Sequence, residues 1–106
     1  QSRDFTYIDN VVSANLLACK ATDAAGEVMN MACGERITLN QLVEILQKIL
    51  GINIPPSYDP PRPGDIRHSL ADIEKAKKLL GYKVIVPMDE GLKKTAAWFK
   101  NYYNFK

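Results

Sequence analysis

A mixed α/β lobe, rich in helix and poor in sheet, is the fold this sequence predicts. Three observations carry the prediction. Four stretches place apolar residues at helical spacing, with start or stop residues at their ends. The β-rich runs between them are short. No strand–helix series is long enough to build a doubly wound parallel sheet. A chain of 106 residues makes one compact domain or one lobe of a larger one, so a single lobe over 1–106 is expected.

Phe5 to Ile8 is β-rich and reads as a short strand or extended arm. Asp9 then suits the N-cap of a helix from Asn10 to about Ala21, with Val12, Leu16 and Cys19 on one face. Asp23-Ala24-Ala25-Gly26 is a turn, Glu27 to Ala32 reads as a strand, and Gly34 ends it. Thr38-Leu39-Asn40-Gln41 is a capping box: the Thr38 hydroxyl can receive a first-turn amide while the Gln41 side chain reaches back. Leu39, Leu42, Val43, Leu46, Ile49 and Leu50 continue as an apolar stripe, and Gly51 suits the left-handed residue that stops a helix. Residues 52–58 are extended and broken by Pro55-Pro56. Asp72 is expected to cap the next helix, with Ile73, Ala76 and Leu80 inward and Gly81 as its stop. Val84-Ile85-Val86 is a short strand or extended link. The last helix is expected from about Met88 to Tyr103, with Leu92, Ala96, Phe99 and Tyr103 on one face.

Composition narrows the function. A net charge of +2 is too mild to argue for nucleic acid. No apolar run approaches the ~20 residues of a membrane helix. No apolar region follows Gln1-Ser2-Arg3-Asp4, so no signal peptide is read. The absent initiator Met points to a piece of a longer protein. Cys19 and Cys33 have no metal or redox spacing and sit among apolar neighbours, so buried free thiols and a reducing cytoplasm are expected.

The chemistry concentrates in Pro60-Pro61-Arg62-Pro63-Gly64-Asp65-Ile66-Arg67-His68-Ser69-Leu70-Ala71-Asp72. Arginine forks suit phosphate oxygens, and a carboxylate suits the paired hydroxyls of a ribose. Pro63-Gly64 fixes the loop, so its charged groups need less ordering on binding. Taken alone, the motif equally suits a solvated turn. His68 is a lone histidine without metal-ligand companions, and a hydrogen-bonded or exposed role is expected for it. Asp4 is expected to pair with a neighbouring arginine, and Arg67 with a local acid.

Three segments together resemble one family. Ser2-Arg3-Asp4-Phe5-Thr6-Tyr7-Ile8-Asp9-Asn10-Val11-Val12, the Arg62-Pro63-Gly64-Asp65 turn and the closing Glu90-Gly91-Leu92 to Trp98-Phe99 helix match it in order and spacing. Over essentially the whole chain they resemble the C-terminal third of the NAD-dependent sugar-nucleotide epimerases, which are extended short-chain dehydrogenases. The look is nearest to those acting on UDP-glucose and UDP-N-acetylglucosamine. The resemblance implies a C-terminal substrate-binding lobe without the Rossmann cofactor half, and the six glycines form no G-x-G-x-x-G loop. NAD is therefore expected on the absent N-terminal domain and not on this segment, with a UDP-sugar as the ligand and a homodimeric parent.

The resemblance also assigns residues. It implies that Arg3 and Arg62 grip the diphosphate, that Asp65 accepts from the ribose hydroxyls, and that Ser69 helps wall the sugar pocket. A bulky Tyr at the Ser69 position narrows the space around the sugar's C2 substituent, and a small residue leaves room for an N-acetyl group. The family's catalytic Tyr and Lys lie four residues apart. Tyr102 and Lys106 match that spacing, but on a terminal helix with no cofactor loop upstream; they are read as packing and solvated residues. The segment alone is expected to be inactive. Two other readings stay open: a lobe of a sugar-nucleotide dehydratase or decarboxylase, and a stand-alone binding module. Arg-Pro-Gly-Asp-Ile-Arg-His-Ser looks more like the epimerases than like the dehydratases' usual Pro-Gly-His version.

Overall fold

Two short strands and four helices organise the chain, in a computed structural model that describes residues 1–104. In order they are β1 (Ser2–Arg3), α1 (Ile8–Lys20), β2 (Ile37–Thr38), α2 (Leu39–Leu50), α3 (Glu74–Leu80) and α4 (Met88–Tyr103). β1 pairs antiparallel with β2, Ser2 opposite Thr38 and Arg3 opposite Ile37. On its other side Ser2 forms an isolated parallel bridge with His68. The first residues of the chain thus lie between the start of α2 and the charged loop before α3.

The capping box at α2 forms as expected. The Thr38 amide donates to Gln41 Oε1 at 2.8 Å, and the Gln41 amide donates to Thr38 Oγ1 at 3.1 Å. Gly51 stops the helix in the left-handed region at φ 66°, where a side chain would clash with its own backbone. Past it, residues 52–58 strap along α2: Gln47 Nε2 donates to the Ile54 carbonyl at 2.6 Å and Tyr58 donates to Asn40 Oδ1 at 3.1 Å. α2 packs on α4.

Several expectations are resolved or corrected. Of the two readings for residues 5–8, short strand or extended arm, the arm holds up to Tyr7, because β-rich residues need a paired edge to form a strand; Ile8 already begins α1. Tyr7 is the N-cap, and Asp9 lies in the first turn, where its charge still complements the helix dipole. Glu27 to Ala32 forms no strand either; among the described residues the backbone of 28–31 pairs with no other backbone. Asp72 sits one residue before the α3 N-cap Ile73, yet its carboxylate accepts from the Glu74 amide at 3.0 Å, the bond a cap makes. For residues 84–86, read as a short strand or an extended link, the structure forms the link.

The core is small. Ala14, Ala32, Ile73, Ala76 and Tyr82 form it, with Leu17, Met29, Met31, Ala71 and Leu80 partly buried around it. α1 turns Ala14 inward, and its expected face of Val12, Leu16 and Cys19 points outward: small residues let α1 approach α3 closely, so the bulkier side is left exposed. Cys19 is thus an exposed thiol and Cys33 a half-buried one, not the buried pair expected. On α4, Ala96 is buried and Leu92 half-buried, while Phe99 and Tyr103 are exposed. They join Trp98 and Tyr102 in ring contacts, with Trp98 and Tyr102 stacked at 4.8 Å.

The accessible surface is 8151 Å². A closed globule of 11.9 kDa exposes about 6,000 Å². The radius of gyration is 16.5 Å, against about 13 Å for a compact domain of this length. The lobe is a slab, 49 × 36 × 18 Å, with apolar side chains on its outside. Among the described residues no helix is long and apolar enough to cross a membrane.

Gly91 is the tightest point of packing. It is buried in α4, and a Cβ built on it would lie 2.7 Å from Tyr7 Cβ and 3.0 Å from Tyr7 Cγ. Gly91→Ala gains about 1 kcal/mol of helix propensity but must push α4 off the tyrosine, a typical overpacking cost of about 1–3 kcal/mol. The expected outcome is a lower urea midpoint. A raised midpoint would mean that Tyr7 gives way freely.

Candidate functional site

The candidate site is built where β1 meets the loop 62–69. The loop turns at Arg62-Pro63-Gly64-Asp65, with the Asp65 amide donating to the Arg62 carbonyl at 3.2 Å and Gly64 at φ 80°. Proline second and a positive-φ glycine third is type II turn chemistry. The loop then runs beside β1. The Ser2 amide donates to the Arg67 carbonyl at 2.9 Å, and the Ser69 amide donates to the Ser2 carbonyl at 3.1 Å.

Side chains close the same seam. Arg3 Nη2 meets Asp65 Oδ1 at 3.2 Å and donates to the Ile66 carbonyl at 2.6 Å. Arg3 Nη1 donates to the Ser2 carbonyl at 2.7 Å and reaches the Arg67 carbonyl at 3.4 Å. Gln1 Nε2 donates to Asp65 Oδ2 at 2.7 Å. The Gln1 bond holds the Asp65 carboxyl below the usual carboxylate range against the opposite pull of desolvation, with the Arg3 and Arg62 charges adding to it. Asp65 is therefore an ionised acceptor with both oxygens oriented.

Arg3, Asp65 and Ser69 are thus brought onto one rim, and Arg62 stands on the turn beside it. Among the described residues the exposed Arg62 guanidinium makes no hydrogen bond or ion pair. Ser69 is exposed and held by its backbone. Asp4 departs from expectation: its carboxylate accepts the Cys33 amide at 3.0 Å and the Gly34 amide at 2.8 Å, not an arginine. Successive side chains of an extended segment point to opposite sides, which sends Arg3 to one loop and Asp4 to another. Arg67 offers its carbonyl to the seam, and its side chain forms no ion pair among the described residues.

Sequence reasoning missed Gln1 and Ser2. Neither carries a local signal; each matters through a residue more than sixty positions away. Ser2, 3% exposed, has its hydroxyl 2.7 Å from His68 Nδ1. Desolvation pushes the His68 pKa down, and the Arg36, Arg67 and Arg3 charges add to it.

The arrangement can bind anions and hydroxyls, and the serine hydroxyl that meets its imidazole, Ser2 Oγ at His68 Nδ1, is buried. Burial, with Asp4 beside it, pushes the Cys33 thiol up, away from the reactive thiolate. Tyr82 is buried and donates to the Ala32 carbonyl at 2.6 Å. Tyr102 lies on the exposed aromatic group of α4, and Lys106 lies outside the described residues. No cluster among the described residues could hold a metal ion.

No protein-family model matches the chain. Similarity to individual proteins is extensive. A UDP-glucuronate 4-epimerase from Thermodesulfobacterium geofontis is 37% identical over 101 residues, covering 94% of this chain and 31% of that protein. The structure of UDP-glucose 4-epimerase with UDP-glucose from Thermotoga maritima superposes with a TM-score of 0.89 at 44% identity, over 96% of this chain and 32% of that one. UDP-N-acetylglucosamine 4-epimerase from Methanobrevibacter ruminantium, in complex with UDP-N-acetylmuramic acid, matches with a TM-score of 0.87 at 37% identity, over 96% and 32%. NAD is bound in matched structures of UDP-glucuronic acid 4-epimerase from Bacillus cereus. The fold is that of the C-terminal lobe of the extended short-chain dehydrogenases. Within them the chain is similar over nearly its whole length to sugar-nucleotide 4-epimerases, and it spans about a third of the length of the curated relatives it matches.

Proposed function

We propose that this lobe holds the UDP handle of a UDP-sugar while the rest of a longer 4-epimerase inverts the sugar's C4 centre. The observation that supports it best is the seam that brings Arg3, Asp65 and Ser69 together beside Arg62. In this reading Asp65 receives the ribose hydroxyls on its remaining lone pairs. Arg62, with its guanidinium unspent, is the principal phosphate grip. Arg3 commits both terminal nitrogens to the loop, so it offers the phosphates its charge and its Nε–H. Inverting one carbinol centre requires access to both faces of the sugar ring. A firm hold therefore belongs on the nucleotide and a loose one on the sugar, and the charged groups here serve the firm hold.

In this reading the dinucleotide is not held by this lobe. Gly26, Gly34, Gly51, Gly64 and Gly81 stand at positive φ in turns and helix ends, and Gly91 is packed on Tyr7. NAD belongs to the remaining two thirds, and this lobe supplies binding without the redox chemistry. The outward face of Val12, Leu16 and Ile85 suits packing against that remainder. It also favours a lobe over a stand-alone module.

Ser69 carries the finer reading: room beside the sugar's C2 admits an N-acetyl group. In the full-length protein, Ser69→Tyr is expected to leave UDP-glucose turnover near its original rate and to reduce UDP-N-acetylglucosamine turnover at least tenfold, consistent with roughly 1–3 kcal/mol for steric discrimination. Equal turnover of both sugars by the variant would rule Ser69 out as the selector.

A further inference from the structure

We propose that Ser2 and His68 form the positioning element of the nucleotide-holding loop, His68 acting through Ser2 to fix the register of residues 65–69 on β1. This rests on the UDP-holding role proposed for the same loop. The loop is exposed from Arg62 to Leu70, and its backbone attachment to Ser2 is only two hydrogen bonds, one on each side of His68. Each such bond contributes on the order of 1 kcal/mol net. Backbone groups are alike at every residue, so these two bonds alone tolerate slippage. A one-residue slip would turn the Asp65 side chain away from Gln1 and Arg3, because side chains alternate along an extended segment.

The 2.7 Å contact from Ser2 Oγ to His68 Nδ1 is specific to two side chains and therefore selects one register. Its environment favours one protonation state. Ser2 is buried on the inner side. Arg3 on β1, Arg36 before β2 and Arg67 on the loop itself place positive charge around the ring. A neutral ring accepts the serine hydroxyl at Nδ1 and carries its proton on Nε2. His68 is thus a positioning residue, and the group it positions is Asp65.

The test uses this chain, with UDP as the calorimetric probe. Asparagine places an acceptor where Nδ1 stands, whereas glutamine reaches the place of Nε2. His68→Asn is expected to keep UDP affinity within about twofold. His68→Gln and Ser2→Ala are each expected to weaken it about tenfold, the scale of one hydrogen bond. Ser2→Ala combined with His68→Ala should cost no more than either alone. Thermal midpoints should stay together, since His68 is exposed and Ser2→Ala removes one oxygen.

Nitrogen-15 spectra of the imidazole should show the Nε2–H tautomer in the parent chain and a mixture in Ser2→Ala. Equal losses for asparagine and glutamine, additive losses in the double variant, or an Nδ1–H tautomer would overturn the proposal. If the parent chain binds no UDP, the nucleotide reading fails for the isolated lobe. Hydrogen exchange at the Ser2 and Ser69 amides then decides the positioning role: faster exchange in His68→Gln but not in His68→Asn supports it, and equal exchange in the two overturns it.

Discussion

Asn10→Ala is expected to destabilise the chain by about 2–4 kcal/mol, a large loss for a single polar residue. Asn10 is 0% exposed, and every polar atom of its side chain is used. Its Oδ1 accepts the Ile85 amide at 2.9 Å and the Val86 amide at 3.0 Å, and its Nδ2 donates to the Val86 carbonyl at 2.8 Å. Alanine leaves two amides and a carbonyl without partners in a site too enclosed for easy hydration, and it opens a cavity as well. The link 84–86 has no strand partner, so these bonds are what fasten it to α1. Asn10→Asp separates the contributions, because a carboxylate keeps both amides but sets negative charge against the Val86 carbonyl. Urea unfolding should rank the parent above both variants. An Asn10→Ala loss below about 1 kcal/mol would mean that water reaches the orphaned groups and that the node is less closed than its burial implies.

Asn10 also marks the limit of what local pattern conveys. A polar residue after aspartate at the head of a helix reads as a helix start, and it lies in the first turn of α1; its partners on the 84–86 link lie some seventy-five positions away and leave no trace nearby. What is local was legible: the Thr38–Gln41 box, the left-handed stops at Gly51 and Gly81, and the extent of α4 all follow from residues within a turn of each other. What depends on a partner was not. Strand composition at Glu27 to Ala32 forms no ladder without a second strand, while β1 and β2, two residues each, are too short to show a period. Helical spacing groups Val12, Leu16 and Cys19 on one face of α1, but which face turns inward depends on the neighbouring helix. The narrow approach of α1 to α3 selects Ala14 and leaves Val12 and Leu16 outside. For the candidate site, the motif supplied the residue types and the resemblance supplied their roles. The pairing of Arg3 with Asp65, and the occupation of Arg3's terminal nitrogens, came only from the fold.

That occupation separates the two arginines by experiment. Arg62→Ala is expected to weaken UDP binding by roughly 10–100-fold while leaving the unfolding midpoint unchanged. A charge-assisted bond to phosphate contributes about 1.5–3 kcal/mol, and each 1.4 kcal/mol is tenfold in affinity. The fold should not notice the change, because the exposed Arg62 side chain holds nothing else in place. Arg3→Ala should behave differently. It removes the bonds to Ser2, Asp65 and Ile66 at once, so the loop loosens and binding and stability fall together. Arg62→Lys discriminates further: it keeps the charge and loses the fork, so partial recovery would identify bidentate recognition, and full recovery a point-charge role. Calorimetry at low and raised salt completes the comparison, since an exposed grip on a diphosphate is screened and the seam beneath it is less so. If Arg62→Ala binds UDP as tightly as the parent chain, the unspent guanidinium is not the grip. The phosphates would then have to be held by Arg3, through the single N–H that the seam leaves it.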